Sequence, residues 1–287
     1  MNLINHSLID KHVGYLMIRE KIIYFPIFPF EDELGFERSD YIKEWIAQKL
    51  LPEGMITTDE NKANAYLVAT GDGGMTKAAR SKYDSGKILF GVNCGTLGFL
   101  MNQIESADLV PVYMDELNQV NVTLLKGTFY KKGGESVSFL AFNDIFCGGN
   151  IADYITFNIK GSLSHFRDRT VKGNGVFIST PQGTTGFALN ACGSSSVLPL
   201  DTKTLYIGGV ATGPYPNSVF SPQKVEIKVF SRQKVFAYAD GYEQEAKDIN
   251  RIVIEPTSHL VILGFRKEVD FEARRRELAQ KVEVGAQ

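Results

Sequence analysis

The residues best suited to chemistry in this 287-residue sequence are a run of glycines around one carboxylate, Thr70-Gly71-Asp72-Gly73-Gly74. Glycines that follow a strand let the backbone come close to a phosphate group, and a helix that starts there offers free N–H groups. A carboxylate beside a polyphosphate repels it unless the carboxylate binds a metal ion or accepts a proton from an attacking hydroxyl. The run therefore suits a phosphate-transfer site. Taken alone, the run slightly favours the alternative, a tight strand-to-helix turn with Asp72 as the helix N-cap.

Two further segments carry groups that could contact a ligand. In residues 180–187, Thr-Pro-Gln-Gly-Thr-Thr-Gly-Phe, hydroxyl and helix N–H groups would converge on an anionic or ribose-bearing ligand, although a threonine-capped helix explains the same residues. Asn143 and Asp144 interrupt the apolar stretch 139–147, where polar side chains are costly unless they are bonded. They predict a ligand contact at a strand end, or a bulge or turn. Phe99 could stack on a base or belong to the core.

Composition and charge exclude several classes of function. The 31 Lys and Arg residues against 33 Asp and Glu residues give a net charge of −2, which argues against a nucleic-acid partner. The three cysteines lack CxxC spacing and the four histidines form no HxxxH cluster, so we expect neither a disulfide framework nor a metal site built on them. No apolar run reaches the roughly 18 residues of a membrane helix, and residues 1–10 lack a signal-peptide core. We expect a cytoplasmic protein without a membrane partner.

The patterning predicts an α/β N-terminal domain over residues 1–119 and a β-rich, largely antiparallel C-terminal domain over residues 120–287. In the first domain, we expect strands at 21–28, 66–69 and 88–92, and helices at 41–50 and 75–82. In the second, we expect strands at 120–125, 136–146, 154–160, 175–179, 204–208, 224–229, 234–239, 251–255 and 259–263. A short helix at 185–192 is expected to stop at Gly193. A charged C-terminal helix at 271–284 is expected to pack late or on the surface.

The order of the motifs resembles that of the NAD kinase family. TGDGG, GVNCGTLGFL, Asn-Asp, KGNGVFISTPQGTTGF and a late Asp240-Gly241 follow one another over residues 66–241. The family shows GGDG, GxNxGxLGFL, Asn-Glu, DG…STPTGSTAY and a late DG in the same order. Five weak motifs in one order are far more specific than any one of them. The resemblance implies the two domains described above and a homo-oligomer, commonly a dimer or tetramer.

By this resemblance, Asp72 is the catalytic residue that activates the adenosine ribose 2′-hydroxyl of NAD, and Gly71 and Gly73 let phosphates approach. Asn143 would contact NAD, and Asp144 would do so where the family has Glu. The other positions assigned to nucleotide binding are Phe99, Lys172, Asn174, Thr184, Thr185, Gly186, Phe187 and Asn190. The implied reaction makes NADP from NAD with ATP or polyphosphate, and Mg²⁺ or another divalent cation would hold the donor phosphates.

The sequence departs from the family pattern at several positions. Thr70 replaces the first glycine of GGDG, Gly74 stands where Thr or Asn is usual, and Gln182, Asn174 and Phe187 replace Thr or Ser, Asp and Tyr. These changes favour weaker NAD binding, whereas the retained Asp72 argues for retained chemistry. We expect a poor but genuine NAD kinase. Two alternatives stay open, namely a non-catalytic NAD- or NADP-binding degenerate kinase and a lipid or alcohol kinase of the diacylglycerol kinase type.

Overall fold

Strand and helix alternate along the first part of the chain and build a parallel sheet. The computed structural model describes residues 19–28, 37–150, 154–163, 167–212, 217–241 and 245–285. The residues 1–10, where we expect no signal peptide, lie outside these ranges. The first elements are β1 (Tyr24–Ile27), α1 (Glu37–Trp45, extended by a π-helical turn at Ile46–Leu50), β2 (Ala65–Thr70), α2 (Asp72–Lys82) and β3 (Ile88–Asn93). Strands β1, β2 and β3 pair in parallel. Every residue of β2 and β3 is buried, as in a parallel sheet covered on both faces.

Two long antiparallel strands, β4 (Leu117–Lys131) and β15 (Ile249–Arg266), connect this sheet to the β-rich part. One end of β15 pairs in parallel with β3 at 262–264, and its other end pairs with an antiparallel strand at 251–254. The prediction of two strands, 251–255 and 259–263, was therefore wrong. The register against β4 shifts between Pro256 and Leu260, because proline lacks the N–H group that a ladder needs, yet the chain stays extended. The division of the chain at residue 119 stays a prediction.

Antiparallel pairing dominates the rest of the molecule. The large sheet also contains β5 (Ser136–Ala141), β7 (Ile155–Gly161), β8 (Arg169–Gly173) and β12 (Val225–Phe230). A second sheet contains β6 (Asp144–Gly148), β9 (Gly175–Ser179), β10 (Leu205–Val210), β11 (Ser218–Phe220), β13 (Phe236–Ala239) and β14 (Glu245–Lys247), in the order β11-β10-β9-β6-β13-β14. The largest apolar core fills the space between the two sheets. The α/β region followed by a largely antiparallel β-rich region confirms the predicted fold class.

The predicted strand 136–146 is two strands in different sheets. The chain turns at Phe142 and Asn143, where the backbone N–H groups of Phe142, Asn143 and Asp144 all donate to the carboxylate of Asp240. Three successive N–H groups bonded to one side chain cannot also serve a sheet ladder on both sides. The polar pair Asn143-Asp144 therefore marks a turn and the start of β6, one of the two interpretations that the sequence left open.

Two helices complete the described structure. Helix α3 (Phe187–Cys192) follows a 3₁₀ turn at Gln182–Thr185 and ends at Gly193, whose φ of 79° suits glycine, as predicted. Helix α4 (Phe271–Glu283) also forms, but its expected surface position was wrong, because Arg275 is fully buried and Phe271 and Ala279 are buried with it. Within the described ranges, none of the helices combines the length and the apolar character needed to cross a bilayer.

Candidate active site

Two glycine-bearing loops leave the parallel sheet side by side at the carboxyl ends of β2 and β3. The last residues of these strands, Thr70 and Asn93, are register partners, so the loops that follow them start as neighbours. The carboxyl edge of a parallel sheet is where α/β proteins bind their ligands. The first loop leads into α2 and carries Asp72, and the second runs through residues 94–101.

Thr70 and Gly74, the two positions of the first loop that depart from the family pattern, depend on each other sterically. A Cβ atom at Gly74 would lie 2.5 Å from the Cβ atom of Thr70, which is closer than two such atoms can come. The side chain that the family carries at position 74 is thus replaced here by one at position 70. A Cβ atom at Gly73, in contrast, would meet no atom of the described residues within 4 Å. Any requirement for glycine at position 73 therefore comes from a bound group and not from the packing of the protein.

The carboxylate of Asp72 is held by the second loop. Its Oδ2 atom accepts a hydrogen bond from the N–H group of Phe99 at 2.8 Å, and its Oδ1 atom accepts one from Leu100 at 2.8 Å. Gly71 is the N-cap of α2, so the N-cap interpretation of Asp72 was wrong. Burial raises the pKa of Asp72, while the two N–H groups and the cations of Arg274 and Arg275 oppose that rise. Each carboxylate oxygen keeps acceptor capacity for one more proton donor.

A short hydrogen-bond chain joins α2 to Asn143. The hydroxyl of Thr76 donates to the carbonyl oxygen of Asp72 at 2.9 Å, and Nδ2 of Asn143 donates to Thr76 Oγ1 at 3.0 Å. Because the hydroxyl proton of Thr76 is already used, the amide of Asn143 must present its nitrogen to Thr76. Its Oδ1 atom is then left buried, with no hydrogen-bond partner among the residues that the structure describes. A buried acceptor without a donor is costly, so this atom suits a donor from a ligand.

Asp144 and Asp240 form a pair of buried carboxyl groups beside Asn143. Asp240 has a φ of 53°, accepts the three N–H groups of the 142–144 turn, and lies 3.6 Å from Nε of Arg80. Burial, and then the nearby charge of Asp240, raise the pKa of Asp144 to about 8. Asp144 therefore carries a proton over much of the neutral range, and it can donate a hydrogen bond as well as accept one.

A cleft of about 900 Å³ opens at this end of the second sheet. Residues that line it include Asn143, Asp144, Phe146, Asn174, Phe187 and Tyr238. The ring of Phe187 is 39% exposed and lies edge-on to Phe146 and Phe177, with ring centroids 5.2 Å apart in each pair. Phe146 in turn stacks on Tyr238. The cleft thus combines an aromatic wall, which suits a flat base, with polar groups at one end.

Gly183 and Gln182 fix the turn that borders the cleft. A Cβ atom at Gly183 would lie 2.1 Å from the carbonyl oxygen of Asn143, so the two backbones touch. The side-chain amide of Gln182 is buried and donates to the carbonyl oxygens of Thr123 and Phe142. The glutamine that departs from the family pattern therefore ties this turn to β4 and to the 142–144 turn.

Eight of the predicted site residues fall into two groups, one in the cleft and one in the first glycine loop. Asn143, Asp144, Asn174, Gly186 and Phe187 line the cleft. Asp72, Gly71 and Gly73 lie in the first glycine loop, which the Thr76 hydroxyl joins to Asn143.

The remaining predicted residues lie away from the described lining of the cleft. Thr184 is fully buried, and its hydroxyl donates to Pro181 and accepts from the N–H group of Leu198. Thr185 is buried too, and its hydroxyl donates to the carbonyl oxygen of Gln182. The ring of Phe99 is packed in a core cluster beneath α4. Lys172 and Asn190 are exposed, on β8 and α3. The hydroxyls of Thr184 and Thr185 therefore bond to groups of the protein itself. Neither threonine caps a helix, because the N-cap of α3 is Gly186, so the interpretation of this segment as a threonine-capped helix was wrong.

Sequence reasoning missed the two arginines of α4, Arg274 and Arg275. Arg274 donates to carbonyl groups of the second glycine loop, and Arg275 donates to Pro181 in the 180–187 turn. For Arg275 the signal was present in the spacing, because Phe271, Arg275 and Ala279 follow one another at four-residue intervals and form the buried stripe of the helix. An arginine on such a stripe indicates an internal partner for its charge.

Comparison with known proteins agrees with the motif order. An NAD kinase from Mesorhizobium japonicum is 30% identical over 191 residues, which cover 66% of this chain and 69% of the relative. The NAD kinase of Hyphomonas neptunium is 26% identical over 209 residues, covering 68% and 77%. That of Helicobacter pylori strain G27 is 33% identical over 170 residues, and this alignment spans 59% of the relative's length. No protein-family model matches the chain.

Solved structures share the fold. A yeast NADH kinase in complex with NADH superposes with a TM-score of 0.68 at 16% identity, covering 90% of this chain and 88% of that one. An NAD kinase from Archaeoglobus fulgidus in complex with ATP gives a TM-score of 0.64 at 17% identity, covering 91% and 98%. At these identities the likeness concerns the fold, which both comparisons extend over nearly the whole chain.

Proposed function

This chain belongs to the NAD kinase family, and from that premise we propose that it phosphorylates the adenosine ribose 2′-hydroxyl of NAD to give NADP. The observation that carries the proposal is the link between Asp72 and Asn143 through Thr76. It ties the backbone of Asp72, whose carboxylate keeps spare acceptor capacity, to the side chain of Asn143, whose buried amide oxygen has no donor among the described residues. Acceptors on two residues that are connected in this way suit a substrate that presents neighbouring hydroxyl groups, as a ribose does.

In the proposed reaction, the 2′-oxygen attacks the γ-phosphorus of ATP, the bond to the β-phosphate oxygen breaks, and ADP leaves. The proton of the 2′-hydroxyl passes to the carboxylate of Asp72. Because Phe99 and Leu100 fix both carboxylate oxygens, Asp72 needs no rearrangement when the hydroxyl arrives. The first turn of α2 and Gly73, which has open space around it, leave room for the donor phosphates. ATP and polyphosphate remain alternative donors.

The cleft would hold the adenosine of NAD. Phe187 and Phe146 offer stacking surface, and Asp144 and Asn174 offer polar contacts at its edge. Asp144 is shorter than the family's glutamate, and Phe187 lacks the family's hydroxyl, so we expect weaker binding of NAD than in a typical member. Asn143→Ala removes the unpartnered acceptor, and we expect it to raise the KM for NAD about tenfold while changing the KM for ATP much less.

The proposal includes a divalent cation such as Mg²⁺, which would bind together with the phosphoryl donor. Among the described residues, no cluster of three or more His, Cys, Asp or Glu side chains could hold a metal ion. The residues present therefore fit a cation that is carried mainly by the phosphates of ATP, where it would neutralise their charge. A homo-oligomeric assembly stays a prediction from the family resemblance, and a cytoplasmic location stays one from the composition.

The deciding experiment incubates the purified chain with NAD, Mg²⁺ and either ATP or polyphosphate. NADP is then measured with an NADP-specific dehydrogenase. NADP formation by the wild type, and its loss in Asp72→Asn, is the expected result. Binding of NAD without any NADP would favour the degenerate kinase, an alternative that the changes at Asp144, Asn174 and Phe187 support. Phosphorylation of diacylglycerol in place of NAD would favour the lipid kinase.

A further inference from the structure

Arg274 lies on α4, far along the chain from the glycine loops, yet it binds the second loop through three carbonyl groups. Its Nη1 atom donates to Met101 at 2.6 Å, and its Nη2 atom donates to Gly98 at 3.0 Å and to Leu97 at 3.4 Å. The guanidinium therefore fixes the backbone of residues 97–101 from the side of its carbonyl oxygens.

The same loop binds Asp72 from the side of its N–H groups. The carbonyl of Gly98 and the N–H of Phe99 belong to one peptide group. Arg274 donates to one end of this peptide, and the other end donates to Oδ2 of Asp72 at 2.8 Å. Hydrogen bonds at both ends of a peptide polarise it, and each bond strengthens the other. Arg274 is thus connected to Asp72 through a single peptide group.

The electrostatic balance at Asp72 depends on α4. Among the described residues, the charged side chains that act on Asp72 are Arg274 and Arg275, and both oppose the effect of burial on its pKa. Arg275 is already paired with Glu272 at 3.1 Å, and it donates to Leu198 and to Pro181. The hydrogen bonds of Arg275 are therefore with its own helix, with Leu198 and with the 180–187 turn. Those of Arg274 are with the second glycine loop, which holds Asp72.

We propose that Arg274 is a positioning residue for Asp72, holding the Gly98–Phe99 peptide so that its N–H group fixes and stabilises the ionised carboxylate. This inference rests on the proposed function of Asp72 as proton acceptor. It assigns to α4 a role in the rate of the reaction and not in the affinity for NAD. Arg274 itself is not among the residues that line the cleft, and its hydrogen bonds go to the carbonyl groups of Leu97, Gly98 and Met101.

The test compares Arg274→Gln with Arg274→Lys and with Arg276→Gln, a matched control on an exposed position of the same helix. Loss of one charge-assisted bond is expected to lower kcat about tenfold in Arg274→Gln, with the KM for NAD within about twofold of the wild type. Without the cation the pKa of Asp72 rises, so the acidic limb of the kcat profile moves to higher pH. Arg274→Lys keeps the charge and should restore that limb, and Arg276→Gln should match the wild type.

A second measurement is independent of activity. The chain is labelled with ¹³C at aspartate carboxyl groups, the signal of Asp72 is assigned with Asp72→Asn, and its pKa is measured by NMR in the wild type and in Arg274→Gln. A higher pKa in Arg274→Gln supports the proposal. An unchanged pKa and pH profile overturn it, as does a loss of NAD affinity equal to the loss of rate. If the wild type forms no NADP, the proposed function fails, while the NMR titration still decides the role of Arg274.

Discussion

The glycine loops around Asp72 and the cleft around Asn143 differ in the groups that form them, which are backbone groups in the loops and side chains in the cleft. Asp72 is held by backbone N–H groups of Phe99 and Leu100, which any residue other than proline would supply at those positions. The cleft presents side chains, among them Asp144 and Phe187. The departures from the family pattern follow this difference. In the loop they compensate for each other, at Thr70 and Gly74, whereas those at Asp144, Asn174 and Phe187 change side chains that line the cleft. A site built from backbone tolerates sequence change better than a site built from side chains.

The strongest test of this comparison is Asp72→Asn, which keeps the size of the side chain but removes the charge and the proton acceptor. We expect turnover to fall about 10²- to 10⁴-fold, the usual range for loss of a general base. Removal of a buried charge favours folding, but the amide NH2 group replaces an oxygen that accepts from Phe99 or Leu100, so we expect a modest fall in melting temperature. Steady-state kinetics with NAD and ATP, beside a thermal melt, test both statements. Wild-type turnover in a normally folded variant would remove Asp72 from the mechanism.

A pair of glycine variants separates packing from ligand approach. The methyl group of Gly183→Ala would lie 2.1 Å from the carbonyl oxygen of Asn143, and we expect it to cost about 3 kcal/mol of folding free energy. Gly73→Ala meets no protein atom within 4 Å, so it should leave the stability unchanged or raise it by up to about 1 kcal/mol. It should nevertheless raise the KM for ATP. Denaturant titrations and kinetics check the pair, and equal stabilities of the two variants would contradict this account.

A pH series tests the buried carboxyl pair on the cleft side. The pKa of Asp144 is raised to about 8 in the folded protein, whereas the unfolded chain ionises near the ordinary aspartate value. Between these two values the folded state binds more protons than the unfolded state, so stability falls as the pH rises through this window. Asp144→Asn removes that fall.

We therefore expect the stability advantage of Asp144→Asn over the wild type to grow by about 3 to 4 kcal/mol from pH 5 to pH 8. Thermal melts at several pH values measure it, and Asp168→Asn, on an exposed residue, is the control. Parallel stability profiles for Asp144→Asn and the wild type would mean that Asp144 ionises normally.

The local sequence pattern was enough to predict the parallel sheet and the positions of both glycine loops. Each loop directly follows a buried strand, as Gly71 follows β2. The local pattern was not enough where contacts are distant in sequence. The turn at Asn143 depends on Asp240, 97 residues away, and the loop around Gly98 depends on Arg274, 176 residues away. Thr184 shows a third limit, because the composition of a turn does not reveal which hydroxyls its own backbone uses.

The smallest expected effect comes from restoring the family's side chains in the cleft, with Asp144→Glu and Phe187→Tyr combined. The tyrosine hydroxyl should add one hydrogen bond, worth about 1 kcal/mol or fivefold in affinity. The longer carboxyl group should replace a bridging water, at a gain of up to about 2 kcal/mol. We expect the KM for NAD to fall about tenfold or slightly more.

The two restored positions are close, since a Cβ atom at Gly186, next to Phe187, would lie 4.0 Å from Oδ2 of Asp144. Their effects should therefore be measured as a double-mutant cycle, because neighbouring changes are often not additive. Val219→Thr, at an exposed position of β11, controls for a general gain in polarity. A lower KM for NAD at unchanged kcat would mean that the expected weak binding of NAD comes from the side chains of the cleft. If the double variant forms no NADP at saturating NAD and ATP, the backbone-built loop does not support chemistry either, and the non-catalytic alternative is preferred.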